Sequence, residues 1–168
     1  MIIKKISLSV KKHISVIEDI PVKTTFDKDA MKRFIEGLNN VETFDLMLDN
    51  IKIGYAIIRY DSNDQCHSLD FFEIFENYQN LGYGSWFLDH LKEIYDFCLY
   101  AINGTIHFYL KRGAKPILIY SGGIIVAFLR DIKPSEYFKK ISGPDEIFEY
   151  SDEFVYKKSD WDDIAKRF

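Results

Sequence analysis

The stretch Gln79-Asn80-Leu81-Gly82-Tyr83-Gly84-Ser85 combines residue types and spacing that suit anion chemistry. An apolar run ends just before it and a helical stripe begins just after it. The first-turn N–H groups of such a helix have no carbonyl of their own helix to bond, so they can hold an anion. Glycine there lets a phosphate approach the backbone, where a Cβ would intervene. Two other phosphate-binding patterns fail on their own terms. A Walker loop needs Gly-Lys followed by Ser or Thr at the helix start, and the dinucleotide fingerprint needs a third glycine where Phe87 stands.

Other reactive side chains form no set. His13, His67, His90 and His107 lack the mutual spacing of zinc ligands, so no metal centre is expected. Cys66 and Cys98 make no Cys-x-x-Cys and are expected to be reduced and buried. Cys98 has no paired histidine and falls in a predicted strand, which suits a packed thiol better than a nucleophile.

The elements that must position the loop follow from the periodicity. The opening residues alternate as a strand, and Asp27 caps a helix whose Ala30, Met31, Phe34, Ile35 and Leu38 recur at helical spacing until Asn39-Asn40. Residues 43–60 read as a hairpin turning at Asp49-Asn50, with Gly54 interrupting the return strand. Leu69 to Phe75 has the length and aromatic content of a central strand covered on both faces, yet it carries Asp70 and Glu73. Its apolar parity shifts between Leu69 and Phe71 on one side and Phe72 and Ile74 on the other, as a bulge would produce. From Gly82 a helix presents Phe87, Leu88, Leu91, Ile94 and Tyr95 on one stripe, opposite Asp89, Lys92, Glu93 and Asp96. A strand over 97–101 follows, then a brief helix capped by Asn103 or Thr105 and ending at Gly113. A hairpin over 116–130 turns at Ser121-Gly122-Gly123. Asp160 caps a final helix whose Trp161, Ile164, Ala165 and Phe168 share a face, so the tail is expected to dock.

Length and composition bound the rest. The chain has 168 residues, 47% of them apolar, with 14 Phe, 11 Tyr and 2 Trp, which supplies the core of one domain and excludes general disorder. Lys plus Arg number 22 against 26 Asp plus Glu, so the net charge is −4 and no basic stripe offers phosphate contacts to nucleic acid. An acidic body suits an amine-bearing partner. The start lacks the apolar block and cleavage site of a secretory signal, and no run of 18 apolar residues occurs, which leads to the expectation of a cytoplasmic protein without membrane attachment.

Taken together these residues resemble the GNAT superfamily of acyl-CoA-dependent N-acyltransferases over about residues 42–130. The match includes Ile53-Gly54-Tyr55-Ala56, the strand ending at Ile74, the Gln79 to Gly84 loop, and Phe108-Tyr109-Leu110-Lys111-Arg112-Gly113. The resemblance implies an α/β fold: a mixed, mostly antiparallel central sheet with helices on both faces and splayed fourth and fifth strands. Here a C-terminal extension over 131–168 would pack on that single domain. It also implies acetyl-CoA as co-substrate, with no metal. Glu73, Ile74 and Phe75 would offer main-chain groups to pantetheine and the thioester carbonyl. Asn80, Leu81, Gly82, Tyr83, Gly84 and Ser85, with Gln79 ahead of them, would hold the pyrophosphate, and Asn103 would complete the cofactor set.

Direct N-acylation needs a polarised carbonyl, an amine that loses a proton and a thiolate that leaves. Tyr109 matches the family's usual general acid. The family's frequent glutamate base, eleven residues before the motif's Gln or Arg, is here Ser68. Asp70, two residues on, shares its face and is the first substitute, followed by Glu73, Glu76 and His67. The competing reading is an Asp70 satisfied by a cation such as Arg59. The reading is therefore an N-acetyltransferase acting on a small-molecule or protein amine, its acceptor side built from roughly 22–40 and 116–130. A non-catalytic acyl-CoA-binding module is the alternative. A third reading makes the Trp161 helix the interface of a homodimer.

Overall fold

The computed structural model describes residues 1–7, 17–18, 20, 27–38, 40–61, 66–102, 104–120 and 123–130. They fall in two units, Met1–Asp61 with His67–Ile94, and Ser62–Cys66 with Tyr95–Phe168. Asn103, the Ser121-Gly122 turn and the Trp161 helix lie outside the described residues.

The first unit contains β1 (Ile2–Ser7), α1 (Lys28–Glu36), β2 (Val41–Leu48), β3 (Ile51–Asp61), β4 (Cys66–Ile74), a 3-10 turn (Glu76–Tyr78) and α2 (Tyr83–Ile94). Its strands lie in the order β1-β2-β3-β4, with β1 and β3 both antiparallel to β2. Asp49 and Asn50 turn the β2–β3 hairpin with φ of 49° and 63°. That positive pair matches the right-handed twist of the flanking strands, and Asp and Asn tolerate it better than other side chains.

α1 begins where the sequence predicts. The Asp27 carboxylate accepts from the N–H groups of Asp29 and Ala30, satisfying first-turn donors. It ends earlier than predicted, at Glu36, with Gly37 as its cap; Leu38 donates to the Ile35 carbonyl. Met31 and Ile35 are buried against Tyr55, Ile57 and Phe75, and burial of such a side chain is worth about 1.5–3 kcal/mol. Phe34 meets the Phe71 ring edge-on at 5.6 Å. On α2, Phe87, Leu88 and Leu91 are buried, and Phe87 meets Phe72 at 5.4 Å. Ile94 is exposed, so the apolar stripe stops one turn short of the predicted one. Adjacent residues of β4 thus face different helices, which covers this sheet on both faces.

Side-chain pairing locates the parity shift in β4. β3 runs regularly against β2 from Gly54 to Arg59, so Tyr55 and Arg59, four residues apart, share a face. Their partners in β4, Glu73 and Asp70, are three apart. A strictly alternating strand would send those carboxylates to opposite faces, so one extra residue is accommodated between them. Phe71 therefore joins the α1 face, whereas Phe72 stays on the α2 face.

The second unit contains β5 (Phe97–Ile102), α3 (Ile106–Lys111), β6 (Lys115–Tyr120) and β7 (Gly123–Phe128). The order is β5-β7-β6, each pair antiparallel. The β6 register shifts between Pro116 and Leu118, where proline has no N–H to give the ladder. Thr105 precedes α3 without a side-chain cap, and Gly113 at φ 85° closes it. Cys98 forms no disulfide and is only half-buried, against the expectation of burial.

Candidate functional site

The loop from β4 to α2 is built almost entirely from backbone. Tyr78 N–H donates to the Phe75 carbonyl at 2.8 Å and Gln79 N–H to the Glu76 carbonyl at 3.2 Å, which winds the chain away from the strand end. Asn80 and Gly82 then take φ of 61° and 87°, turning the chain into the helix. The first helical bond runs from Trp86 N–H to the Gly82 carbonyl at 3.1 Å. The N–H groups of Tyr83, Gly84 and Ser85 precede it and point out of the helix start. That first turn carries no acidic residue, so nothing of the helix's own competes for the positive end of its dipole. A Cβ on Gly82 would meet no protein atom within 4 Å, and Gln79, Asn80, Leu81 and Gly82 are all exposed. These donors and this open approach fit a diphosphate.

Gln79 has a further role that the sequence did not disclose. Its side-chain amide donates to the Ile74 carbonyl at 2.8 Å and ties the loop back to the end of β4. At that strand end the main-chain groups divide. Phe75 gives its N–H to the Ile53 carbonyl at 2.9 Å and its carbonyl to Tyr78, so its peptide groups serve the fold. Gly54 is required here, since a Cβ would lie 2.6 Å from the Glu73 carbonyl oxygen and 2.8 Å from Ile74 Cδ1.

Two carboxylates share the α1 face. Asp70 accepts from Arg59 Nε at 3.0 Å and from Ser68 Oγ at 2.7 Å, the cation-satisfied arrangement weighed against a base. Glu73 is 6% exposed and accepts from the Tyr55 hydroxyl at 2.9 Å. Burial, followed by the Glu73 carboxylate, pushes the Tyr55 phenol far above its usual range, so it remains a donor at every working pH. Across β2, Asp45 stands opposite Tyr55 and meets Lys52 Nζ at 2.5 Å, an ion pair without hydrogen-bond alignment at Oδ1. The same ammonium lies 5.8 Å from the Tyr55 ring centroid. Of the remaining carry-over candidates, Glu76 is exposed and the His67 ring lies tilted against Tyr60, centroids 5.1 Å apart. Tyr55 could have been found from the sequence, since its alternation with Ile53 and Ile57 buries a hydroxyl that needs a partner.

Tyr109 lies on α3 in the second unit and is 8% exposed. Burial pushes its phenol up to about 12. Its carbonyl accepts from the N–H groups of Arg112 and Ala114 at 3.0 and 3.1 Å, so the closing turn fixes the backbone that carries it. Among the described residues no three of His, Cys, Asp and Glu gather as metal ligands, and no helix is long and apolar enough to cross a membrane.

No protein-family model and no curated protein matches the chain. Solved structures do. The chain is similar to GCN5 of Tetrahymena, with a TM-score of 0.57 and 18% identity over 76% of this chain and 94% of that one. It is similar to the PaiA N-acetyltransferase of Thermoplasma acidophilum in complex with coenzyme A, with a TM-score of 0.53 and 16% identity over 76% and 98%. The ribosomal-protein-S18-alanine N-acetyltransferase of Escherichia coli matches with a TM-score of 0.53 and 15% identity over 76% and 93%.

Proposed function

Because the chain has the GNAT fold, we propose that it transfers an acetyl or short acyl group from acetyl-CoA directly to an amine. The observation that carries this reading is the β4–α2 loop, where positive φ at Asn80 and Gly82 presents the Tyr83, Gly84 and Ser85 N–H groups at an acid-free helix start. When bound, acetyl-CoA supplies the activated thioester.

Asn80 to Ser85 hold its diphosphate, and the main chain of Glu73 and Ile74 orients the thioester arm. Tyr109 gives a hydrogen bond to the departing sulfur, the role that the resemblance assigns to it. The acceptor is a small-molecule or protein amine, and the net charge of −4 favours a cationic one. The setting is the cytoplasm.

Titration calorimetry with acetyl-CoA, followed by thiol release with a panel of polyamine, aminoglycoside and lysine-like amines, tests the proposal. Saturable binding with amine-dependent thiol release is the expected result. Absence of binding overturns it. Binding without release for any amine supports instead a non-catalytic acyl-CoA-binding module, a reading favoured by the engagement of Asp70 with Arg59.

A further inference from the structure

We infer that Trp86, backed by His90, stacks on the adenine of the coenzyme and so selects a nucleotide-bearing acyl donor over one that lacks the nucleotide. The inference rests on the acyl-transfer reading and names a specificity-determining residue for it.

The fold does not require an indole at this position. Phe87, Leu88 and Leu91 bury the apolar stripe of α2, whereas Trp86 lies off that stripe and is half-buried. An (i, i+4) pair on a helix surface adds little to stability, so the pair with His90 does not by itself account for so large a ring.

The surroundings of the indole suit a planar ligand. Its ring and that of His90 stand 3.9 Å apart, tilted by 36°. His90 Nδ1 lies 3.0 Å from the Trp86 carbonyl oxygen. A carbonyl only accepts, so Nδ1 carries the hydrogen, and the bond pins the imidazole beside the indole. Among the described residues the indole meets no other ring. Helical side chains lean toward the N-terminus, so the imidazole leans over Trp86 and the indole leans over the turn that Gly82 opens. The bond from Trp86 N–H to the Gly82 carbonyl places Gly82, Trp86 and His90 in one row at four-residue spacing. The first place in that row is open, since a Cβ on Gly82 would meet no atom within 4 Å. A planar group entering from the loop therefore meets the indole.

The diphosphate site decides which planar group this is. Its donors are the N–H groups of Tyr83, Gly84 and Ser85, and about one helical turn, ~5.4 Å, separates Gly82 from Trp86. The ribose of a nucleotide spans a comparable distance between its 5′-diphosphate and its base. From Glu76 to Leu91 the chain has no Lys or Arg. In this stretch the nucleotide end of the coenzyme is thus held by backbone donors and by rings rather than by ion pairs. Adenine offers an uncharged π-face, which stacks on indole without a cation.

The test compares wild type, W86F, W86A, H90A and H90F for melting temperature and for calorimetric affinity toward two donors. One is acetyl-CoA and the other acetyl-4′-phosphopantetheine, the same thioester arm without the nucleotide. For W86A the expected loss is about 5–150-fold with acetyl-CoA, the worth of one base–ring stack, and under about 2-fold with the truncated donor. W86F retains most of the wild-type affinity, and H90F restores the smaller loss caused by H90A, because a second ring again backs the indole. In a W161F background Trp86 is the one indole of the chain, and acetyl-CoA is expected to quench its emission whereas inorganic pyrophosphate does not. W86A with acetyl-CoA affinity within about 2-fold of wild type overturns the inference. An equal loss with both donors also overturns it, since that marks a ring that only staples the helix. Should W86A fail to fold, or the truncated donor bind too weakly to titrate, the quench in W161F decides, and unchanged emission at saturating acetyl-CoA overturns the stack. If wild type does not bind acetyl-CoA at all, the acyl-transfer reading itself has failed, an outcome visible before any variant is made.

Discussion

At the level of single residues, the burial of Tyr109 changes what its side chain can do. A phenol at its ordinary value stands close to a thiol of about 8.5, but one pushed up to about 12 gives up its proton to a thiolate only uphill. It stays protonated through the working range, so in the proposed reaction its part is that of a hydrogen-bond donor to the leaving sulfur rather than a proton donor. Y109F is expected to lower kcat about 10²-fold while acetyl-CoA affinity, measured by calorimetry, stays within about 2-fold; unchanged kcat would remove Tyr109 from the reaction. The same burial sets an alkaline limit on stability. The unfolded chain ionises this group near 10 and the folded chain near 12, so its contribution is complete below pH 10 and is lost as pH rises through 12. Urea midpoints taken from pH 9 to 12 are expected to fall less steeply in Y109F than in wild type, and equal slopes would refute the assignment. The Phe108 to Gly113 signature was legible in the sequence. The depth of Tyr109 was not, because exposure depends on what packs over α3.

For the elements, β4 and the loop after it make different demands on glycine. G54A drives a Cβ into the Glu73 carbonyl and Ile74 Cδ1, and overpacking against a backbone atom is expected to cost about 1–3 kcal/mol in denaturant unfolding. G82A meets no neighbour but must hold φ near 87°, a strain of about 1 kcal/mol that relaxes by shifting the helix start. The expected result is a modest change in stability and a loss of acetyl-CoA affinity of at least 10-fold by calorimetry. Similar affinity in G82A and wild type would move the diphosphate away from this loop. The sequence showed that β4 slips in parity, since Leu69, Phe71, Phe72 and Ile74 cannot share one face of a regular strand. It did not show where the slip falls, and a one-residue difference decides that Asp70 and Glu73 lie on the same face as Arg59 and Tyr55.

For the molecule as a whole, binding that selects the folded state must appear as stability. Acetyl-CoA at 100 times its dissociation constant is expected to add about 2.7 kcal/mol, or roughly 5–11 °C in melting temperature for a chain of this size. A thermal scan with acetyl-CoA and with free phosphate at equal concentration measures this, and an identical shift from phosphate would refute specific coenzyme binding. By itself the sequence determined the order of the described elements, the Asp49-Asn50 turn and the glycine-bearing helix start, because these follow from local sterics and from the periods of strand and helix. It also placed the candidate acids and carboxylates along the chain. Only the tertiary structure decided which carboxylate meets a guanidinium and which meets a phenol, because those partners come from a different strand. Protonation behaviour is governed by contacts and desolvation that no local pattern contains.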